Sequence, residues 1–309
     1  MRITHRMLVR TALDDLRSGM ARMARYQEQL ATGKAIHRPS DDPFGIQRSI
    51  RFRSELQALE VCQRNIGLAK DWVNATDVAL EKLTDVLISA QNLALRGADD
   101  SVGTEARQAA GMEAAQLLGS ALQCANSGGY GRYLFAGYKI DRPPFVGLDA
   151  ASNPTEDPAE IVAVQYKGDA GEIERELEPG VSLRINIDGQ VPWLDPSNPD
   201  SVFPLLIDLR DALCSGDGDA VRAVLGRFED VLQTVTTAWA TVGAKAQRLT
   251  MAQDKLEAVS LGLKELLSKT EDVDMAEAVV NSSQAAAVQQ AALQVNARIL
   301  PVSLLDYLR

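Results

Sequence analysis

Proline is distributed so unevenly along this 309-residue chain that it sets the broad layout before any other feature is read. A proline inside a helix removes a backbone donor and clashes with the preceding turn, so long helices need proline-free sequence. None of the twelve prolines lies from Phe44 to Arg142 or from Leu205 to Leu300, and nine are gathered between Pro143 and Pro204. The expected order is helical, irregular, helical.

The first proline-free stretch carries Phe52, Leu59, Ile66, Val73, Leu80, Leu87 and Ala94 at intervals of seven, with Cys62, Ala69, Leu83 and Ala90 between them. This is a coiled-coil-like seam. Asp42 and Pro43 suit the N-cap and first turn of a helix that would run ~80 Å to Arg96 at 1.5 Å per residue. A second, Ala-rich helix is expected from Thr104 to Ala125. The later stretch repeats the period with Phe228, Val235, Val242, Leu249, Leu256 and Leu263, accompanied by Leu225, Leu232, Trp239 and Ala246. A single amphipathic helix cannot bury its own stripe, so the two stretches should fold against each other as a long antiparallel bundle. The fold class is therefore mainly α, with a small β insertion in the middle.

That insertion rests on period-two alternation. Val181, Leu183, Ile185 and Ile187 alternate with polar residues, as do Val162, Val164 and Tyr166, and Gly168 to Gly171 and Asp188-Gly189 supply turns. The expected organisation is a helical rod from 43–144 and 201–270, a β-rich outer domain over 145–200, and paired terminal helices over 1–42 and 271–309. In the last zone Val9, Leu13, Leu16, Met20, Met23 and Leu30 form an apolar stripe interrupted at Gln27. Leu293, Leu300, Leu304 and Leu308 lie near one face of a C-terminal helix that Pro301 interrupts. Residues 1–38 hold eight Lys plus Arg against three acids, and residues 271–309 hold five acids against two Arg, a complementarity that can orient pairing. Gln284, Gln289, Gln290 and Gln294 leave part of the C-terminal helix polar and uncharged, which suits an aqueous channel or an ordinary solvated face.

Little here suggests chemistry. The net charge of −10 repels polyphosphate, so nucleic acid is not an expected partner. No run approaches ~18 apolar residues, so membrane insertion is not expected, and Met7-Leu8-Val9 is too short for the core of a cleavable signal peptide. Cys62, Cys124 and Cys214 are far apart and read as small buried hydrophobes, not a disulfide framework or zinc site. His5 and His37 stand without any ligand pattern. Asn126 to Gly131 is glycine-rich but follows a helix and precedes the strand-like Tyr133-Leu134-Phe135, the reverse of a phosphate-cradling loop. Ser215 to Asp219 lacks the spacing of a calcium loop and reads as a turn between helices. Asp41-Asp42 reads as capping, and Arg2, Arg6, Arg10 and Arg17 as a solvated face. No catalytic residue, cofactor or metal is expected.

Several segments resemble a known family. Met1-Arg2-Ile3-Thr4, Gln29 to Ile36 and Arg38-Pro39-Ser40-Asp41-Asp42-Pro43 look like the N-terminal signature of the flagellin-like axial proteins of the bacterial flagellum. Tyr133-Leu134-Phe135-Ala136-Gly137-Tyr138 with Arg142 to Phe145 is similar to the segment leaving their helical domain. Asp272 to Val280 and Ser303 to Leu308 supply the C-terminal match. The Ser-Asp-Asp-Pro and Leu-Phe-Ala-Gly forms favour the hook-filament junction branch of that family. Three cysteines depart from the family's usual composition.

The resemblance implies a non-enzymatic structural subunit, exported through the flagellar type III apparatus with an export chaperone and placed on the extracellular flagellum. There it would form a ring of copies between hook-associated protein type 1 and flagellin. The terminal helices would order on assembly as an inner coiled-coil layer, with the helical bundle outside it and the β insertion outermost. The expected subunit-interface residues are Ile3, Val9, Leu13, Leu16, Met20, Met23, Leu30, Leu293, Ile299, Leu300, Leu304, Leu305 and Leu308. A minor filament flagellin and a non-exported cytosolic coiled-coil scaffold are the alternatives.

Overall fold

The computed structural model describes residues 5–129, 131–194 and 200–299. Seven helices dominate: α1 (His5–Thr32), α2 (Pro43–Gly97), α3 (Thr104–Ala125), α4 (Val202–Ser215), α5 (Gly218–Leu225), α6 (Phe228–Glu271) and α7 (Met275–Ile299). Between α3 and α4 lie three two-stranded antiparallel sheets. They pair β1 (Gly128–Gly129) with β2 (Arg132–Tyr133), β3 (Phe145–Leu148) with β4 (Ala163–Tyr166), and β5 (Glu174–Glu178) with β6 (Val181–Arg184). The fold is mainly α with a small antiparallel β region, as the proline map implies. The chain divides into two compact units, Met1–Ala58 with Ala258–Arg309, and Leu59–Glu257.

Local chemistry sets the helix ends. Asp42 caps α2: its Oδ1 accepts from the Phe44 N–H at 3.1 Å, and Pro43 stands first in the helix, where no donor is needed. Asp41 turns back instead, accepting from the N–H groups of Arg38 at 3.0 Å and His37 at 3.3 Å. The Arg38 bond foremost holds its carboxyl below the usual range. Both acids do backbone work, as read. Between α4 and α5, Gly216 closes one helix in the left-handed region and Asp217 opens the next, accepting from Asp219 and Ala220. That is the helix-helix turn expected for Ser215 to Asp219.

Within the unit Leu59–Glu257 the heptad positions are core. Ile66, Val73, Leu80, Leu87 and Ala94 of α2 are all at most 1% exposed, and Phe228, Val235, Val242, Leu249 and Leu256 of α6 at most 3%. Polar ties fix the antiparallel direction: Lys70 Nζ donates to Gln253 Oε1 at 2.6 Å, and the Trp239 indole N–H to Asp77 Oδ1 at 2.6 Å. The β region shares this core. Phe145, Trp193 and Phe203 form an aromatic cluster with centroids 5.4 to 6.0 Å apart, joined by Phe135 on Trp193 and Tyr166 on Phe145. The buried Arg210 guanidinium gathers the carbonyls of Pro158, Ala159 and Ile161. The β5–β6 hairpin lies along the long helices, where Asn65 donates to the Glu176 carbonyl and Lys255 pairs with Glu178 at 2.6 Å.

Four expectations need correction. Val181 and Val162 are exposed, because β6 begins at the hairpin turn and the period-two rule holds only from Leu183 to Ile187 and at Val164. Asn126 to Gly131 is not simply a loop: its glycines form β1 and the turn into β2. Cys62 is buried, but Cys124 is only partly so and Cys214 is exposed: its Sγ lies at the rim over Gly111 of α3, while the adjacent Leu213 takes the buried position against Gly97. Gln289 is 7% exposed and turned into the chain.

Phe203 is fully buried, stacked on Trp193 and packed against Phe145, and its truncation leaves a cavity that rigid neighbours cannot close. Phe203→Ala should destabilise the Leu59–Glu257 unit by about 3–5 kcal/mol, read as a lowered urea midpoint for tryptophan fluorescence.

Candidate assembly interface formed by the terminal helices

The site is built on α1 and α7, which pair antiparallel. Gly33 follows the last residue of α1 with φ +71°, a left-handed conformation that glycine adopts without strain, and its N–H caps the Gln29 carbonyl at 2.8 Å. The chain then meets the α6–α7 junction. Ala35 N–H donates to the Glu271 carbonyl at 2.6 Å, and Val273 N–H to the Gly33 carbonyl at 3.0 Å, forming a bridge between Lys34 and Asp272. Asp274 caps α7, accepting from Ala276 at 2.9 Å and Glu277 at 3.2 Å.

Charge closes the joint. The buried Glu271 carboxylate accepts from Ser49 Oγ through one oxygen; the other takes Arg53 Nη2 at 2.7 Å and lies 3.3 Å from Lys34 Nζ. Lys34 also holds Asp272 at 2.6 Å. Burial pushes the Glu271 carboxyl up, but the bonds from Arg53, Ser49 and Lys34 together outweigh it and leave it below its ordinary value. The Lys34 bond, helped by Ser268, lowers Asp272, and the Asp272 bond raises Lys34.

Beyond the joint the two helices meet along an asymmetric seam. From α1 come Val9, Ala12, Leu16, Gly19, Met23, Tyr26 and Leu30, all buried or half-buried. From α7 come Ala278, Ser282, Ala285, Gln289, Ala292 and Asn296, a stripe of small and polar residues at three-four spacing. Gly19 leaves the space that the Gln289 side chain fills, since a Cβ there would overlap its amide oxygen. Gln289 in turn reaches toward the Leu16 carbonyl at 3.5 Å.

The larger apolar residues of α7 therefore point elsewhere. Val280 is 63% exposed, Val295 56%, Val288 53%, Val279 51%, Met275 50% and Leu293 47%. Over its 25 residues α7 carries only Glu277 and Arg298 as charged residues. The outward side of α1 is different, with Arg10, Asp14, Asp15, Arg17, Arg22, Arg25 and Glu28 exposed and, among the described side chains, only Met7, Leu13 and Met20 as exposed large apolar ones.

The candidate interface residues accordingly divide. Val9, Leu16, Met23 and Leu30 lie on the seam within the chain; Leu13, Met20 and Leu293 are exposed. Ile299 is the last residue of α7, and Ile3, Leu300, Leu304, Leu305 and Leu308 lie outside the described residues. Met275, Val279, Val280, Val288 and Val295 were not among the candidates; the near absence of charge along α7 was the signal that pointed to them. Gln284, Gln290 and Gln294 are exposed, whereas Gln289 is taken by the seam. No helix among the described residues is long and apolar enough to cross a membrane, and none of their His, Cys, Asp and Glu side chains form a metal-sized cluster.

Depressed carboxyls stabilise the folded joint above the ordinary carboxylate range, and that contribution disappears as pH falls through the folded values. Hydrogen exchange of segments 33–36 and 271–274, corrected for intrinsic rates, should therefore accelerate on acidification. Glu271→Gln should lower the opening free energy at neutral pH by about 1.5–3 kcal/mol and converge with the wild type in acid.

The chain has recognisable relatives. It is 28% identical over 148 residues to flagellar hook-associated protein 3 of Escherichia coli strain K12, an alignment covering 47% of this chain and 46% of that protein. The match thus spans about half the length of this relative. A flagellin of Listeria monocytogenes is 22% identical over 261 residues, covering 84% of this chain and 82% of the other. The crystal structure of Bacillus cereus FlgL shares the fold, with a TM-score of 0.58 at 21% identity over 71% of this chain and 99% of that one. Residues 3–140 match the bacterial flagellin N-terminal helical region and residues 225–308 the C-terminal helical region. These two matches take in well over half of the 309 residues, and the chain belongs to the bacterial flagellin family.

Proposed function

We propose that this chain is a structural subunit of the bacterial flagellum, acting at the hook-filament junction as an adaptor between hook-associated protein type 1 and flagellin. One observation carries the reading: α7 has almost no charge and exposes Met275, Val279, Val280, Val288, Leu293 and Val295, while its partner within the chain covers only the stripe of small and polar residues. The exposed valines and Leu293 leave a surface that other copies would cover in a closed ring, while α1 keeps a charged outer side. In this reading 1–42 and 271–309 form the inner layer, 43–144 and 201–270 the rod around it, and 145–200 the outer part. Burial of the apolar surface of α7 on assembly supplies the driving force.

Export through the flagellar type III apparatus, with a chaperone covering the same apolar surface beforehand, is part of this reading and would put the protein outside the cell. The role is scaffolding and not catalysis. Hook-associated relatives support the junction assignment. The long alignment with a Listeria flagellin favours a second reading, a minor filament flagellin. Immunolabelling of detached flagella separates them: a single band at the junction supports the adaptor, and label along the filament supports the flagellin. Retention of the protein in the cytosol of flagellated cells would contradict both.

Val280→Asp and Val288→Asp test the surface. Exposed substitutions should change the stability of the isolated chain by about 0.5 kcal/mol or less. Each should nevertheless abolish incorporation into sheared flagella and swimming of a complemented strain. Incorporation at the wild-type level would refute the reading.

A further inference from the structure

We propose that the cleft between the end of β6 and α6 is a binding site for a carboxylate, held by Arg184 and Lys245. The cleft encloses ≈ 590 Å³ and is lined by Arg184, Asn186 and Asp188 on one side and by Thr237, Thr241 and Lys245 on the other. All of these residues belong to the Leu59–Glu257 unit.

Its two cations are under-satisfied. Lys245 Nζ donates to the Asn186 carbonyl at 2.5 Å, and among the described residues no carboxylate lies within ion-pair reach of it. An ammonium has three protons, so two lack a protein acceptor. Arg184 gives Nη1 to Glu172 at 2.6 Å, but its Nε–H is buried with no partner. A half-buried ammonium beside a second cation is costly unless an anion joins them. Burial, and then the Arg184 charge, hold Lys245 below its ordinary value, with Glu172 opposing.

The walls select the anion. Glu172 already neutralises part of Arg184, and Asp188 lines the cleft with Oδ1 accepting the Gln190 N–H at 3.0 Å. With two cations and two carboxylates around the cleft, a singly charged carboxylate meets less repulsion than a phosphate dianion. The donor it would take is the Lys245 ammonium, with the Arg184 charge beside it. The volume leaves room for the group that bears the carboxylate, against the threonine side chains. That carboxylate can be free in solution or be an acidic side chain of a second copy.

The full chain with ε-13C-labelled lysine tests this by NMR at constant ionic strength. Acetate should shift the Lys245 signal saturably, raise the pH at which it titrates, and act at least tenfold more weakly on Arg184→Gln. Asp188→Asn, which needs no change in the cations, should bind acetate several-fold more tightly. The same shift appearing with rising protein concentration and no acetate identifies the second copy as the source. Equal responses to acetate and chloride without dependence on protein concentration, tighter binding of phosphate than acetate, or indifference to both substitutions would overturn the proposal.

Discussion

Among the described residues, a 25-residue helix with two charged side chains packs against α1, and the rest of the terminal architecture follows from how little of it that partner covers. The stripe that α7 gives to α1 is made of Ala, Ser, Asn and Gln, so the helices approach closely, but the contact buries few large side chains. The energy available from apolar burial scales with area. On α7 the larger apolar side chains Val279, Val280, Val288, Leu293 and Val295 remain exposed in the single chain. The pairing of α1 with α7 thus sets direction and register, and leaves the larger hydrophobic gain for other molecules.

Direction depends on the joint. Glu271, at the last position of α6, is tied to Ser49 and Arg53 on α2 and to Lys34 just after α1, while Gly33 ends α1 where Lys34 can meet Asp272. Three segments, α6, α2 and the turn after α1, meet at one buried carboxylate. Loss of that carboxylate would leave Arg53 and Lys34 with fewer acceptors at a site that backbone bonds alone join only at Ala35 and Val273. The unit Leu59–Glu257 is held differently, by an aliphatic seam and an aromatic cluster, with the buried Arg210 guanidinium tying α4 to the carbonyls before β4.

Much of this is legible from residue order alone, because helix interiors obey simple periodicities. Ile66 to Ala94 and Phe228 to Leu256 alternate at seven and are buried accordingly. Asp42, Pro43 and Asp217 announce their helix starts. What escapes is whatever depends on residues distant in sequence. Lys34 and Asp272 are 238 positions apart, and no pattern joins them. Gln289 reads as a channel-facing polar residue until Gly19 is seen beneath it. Val181 fits a strand pattern but stands at the hairpin turn, and Cys214 resembles a core thiol although its neighbour Leu213 fills that place. On α1 the apolar stripe mixes two faces, so Val9, Leu16, Met23 and Leu30 serve the intrachain seam while Leu13 and Met20 do not.

Side-chain accessibility on α7 measures the central claim directly. Hydroxyl-radical footprinting of the isolated chain should oxidise Val280, Val288 and Leu293 readily. In detached flagella the same residues should be protected at least tenfold. Equal oxidation in the two states would mean that no other molecule covers this surface, and would contradict the account.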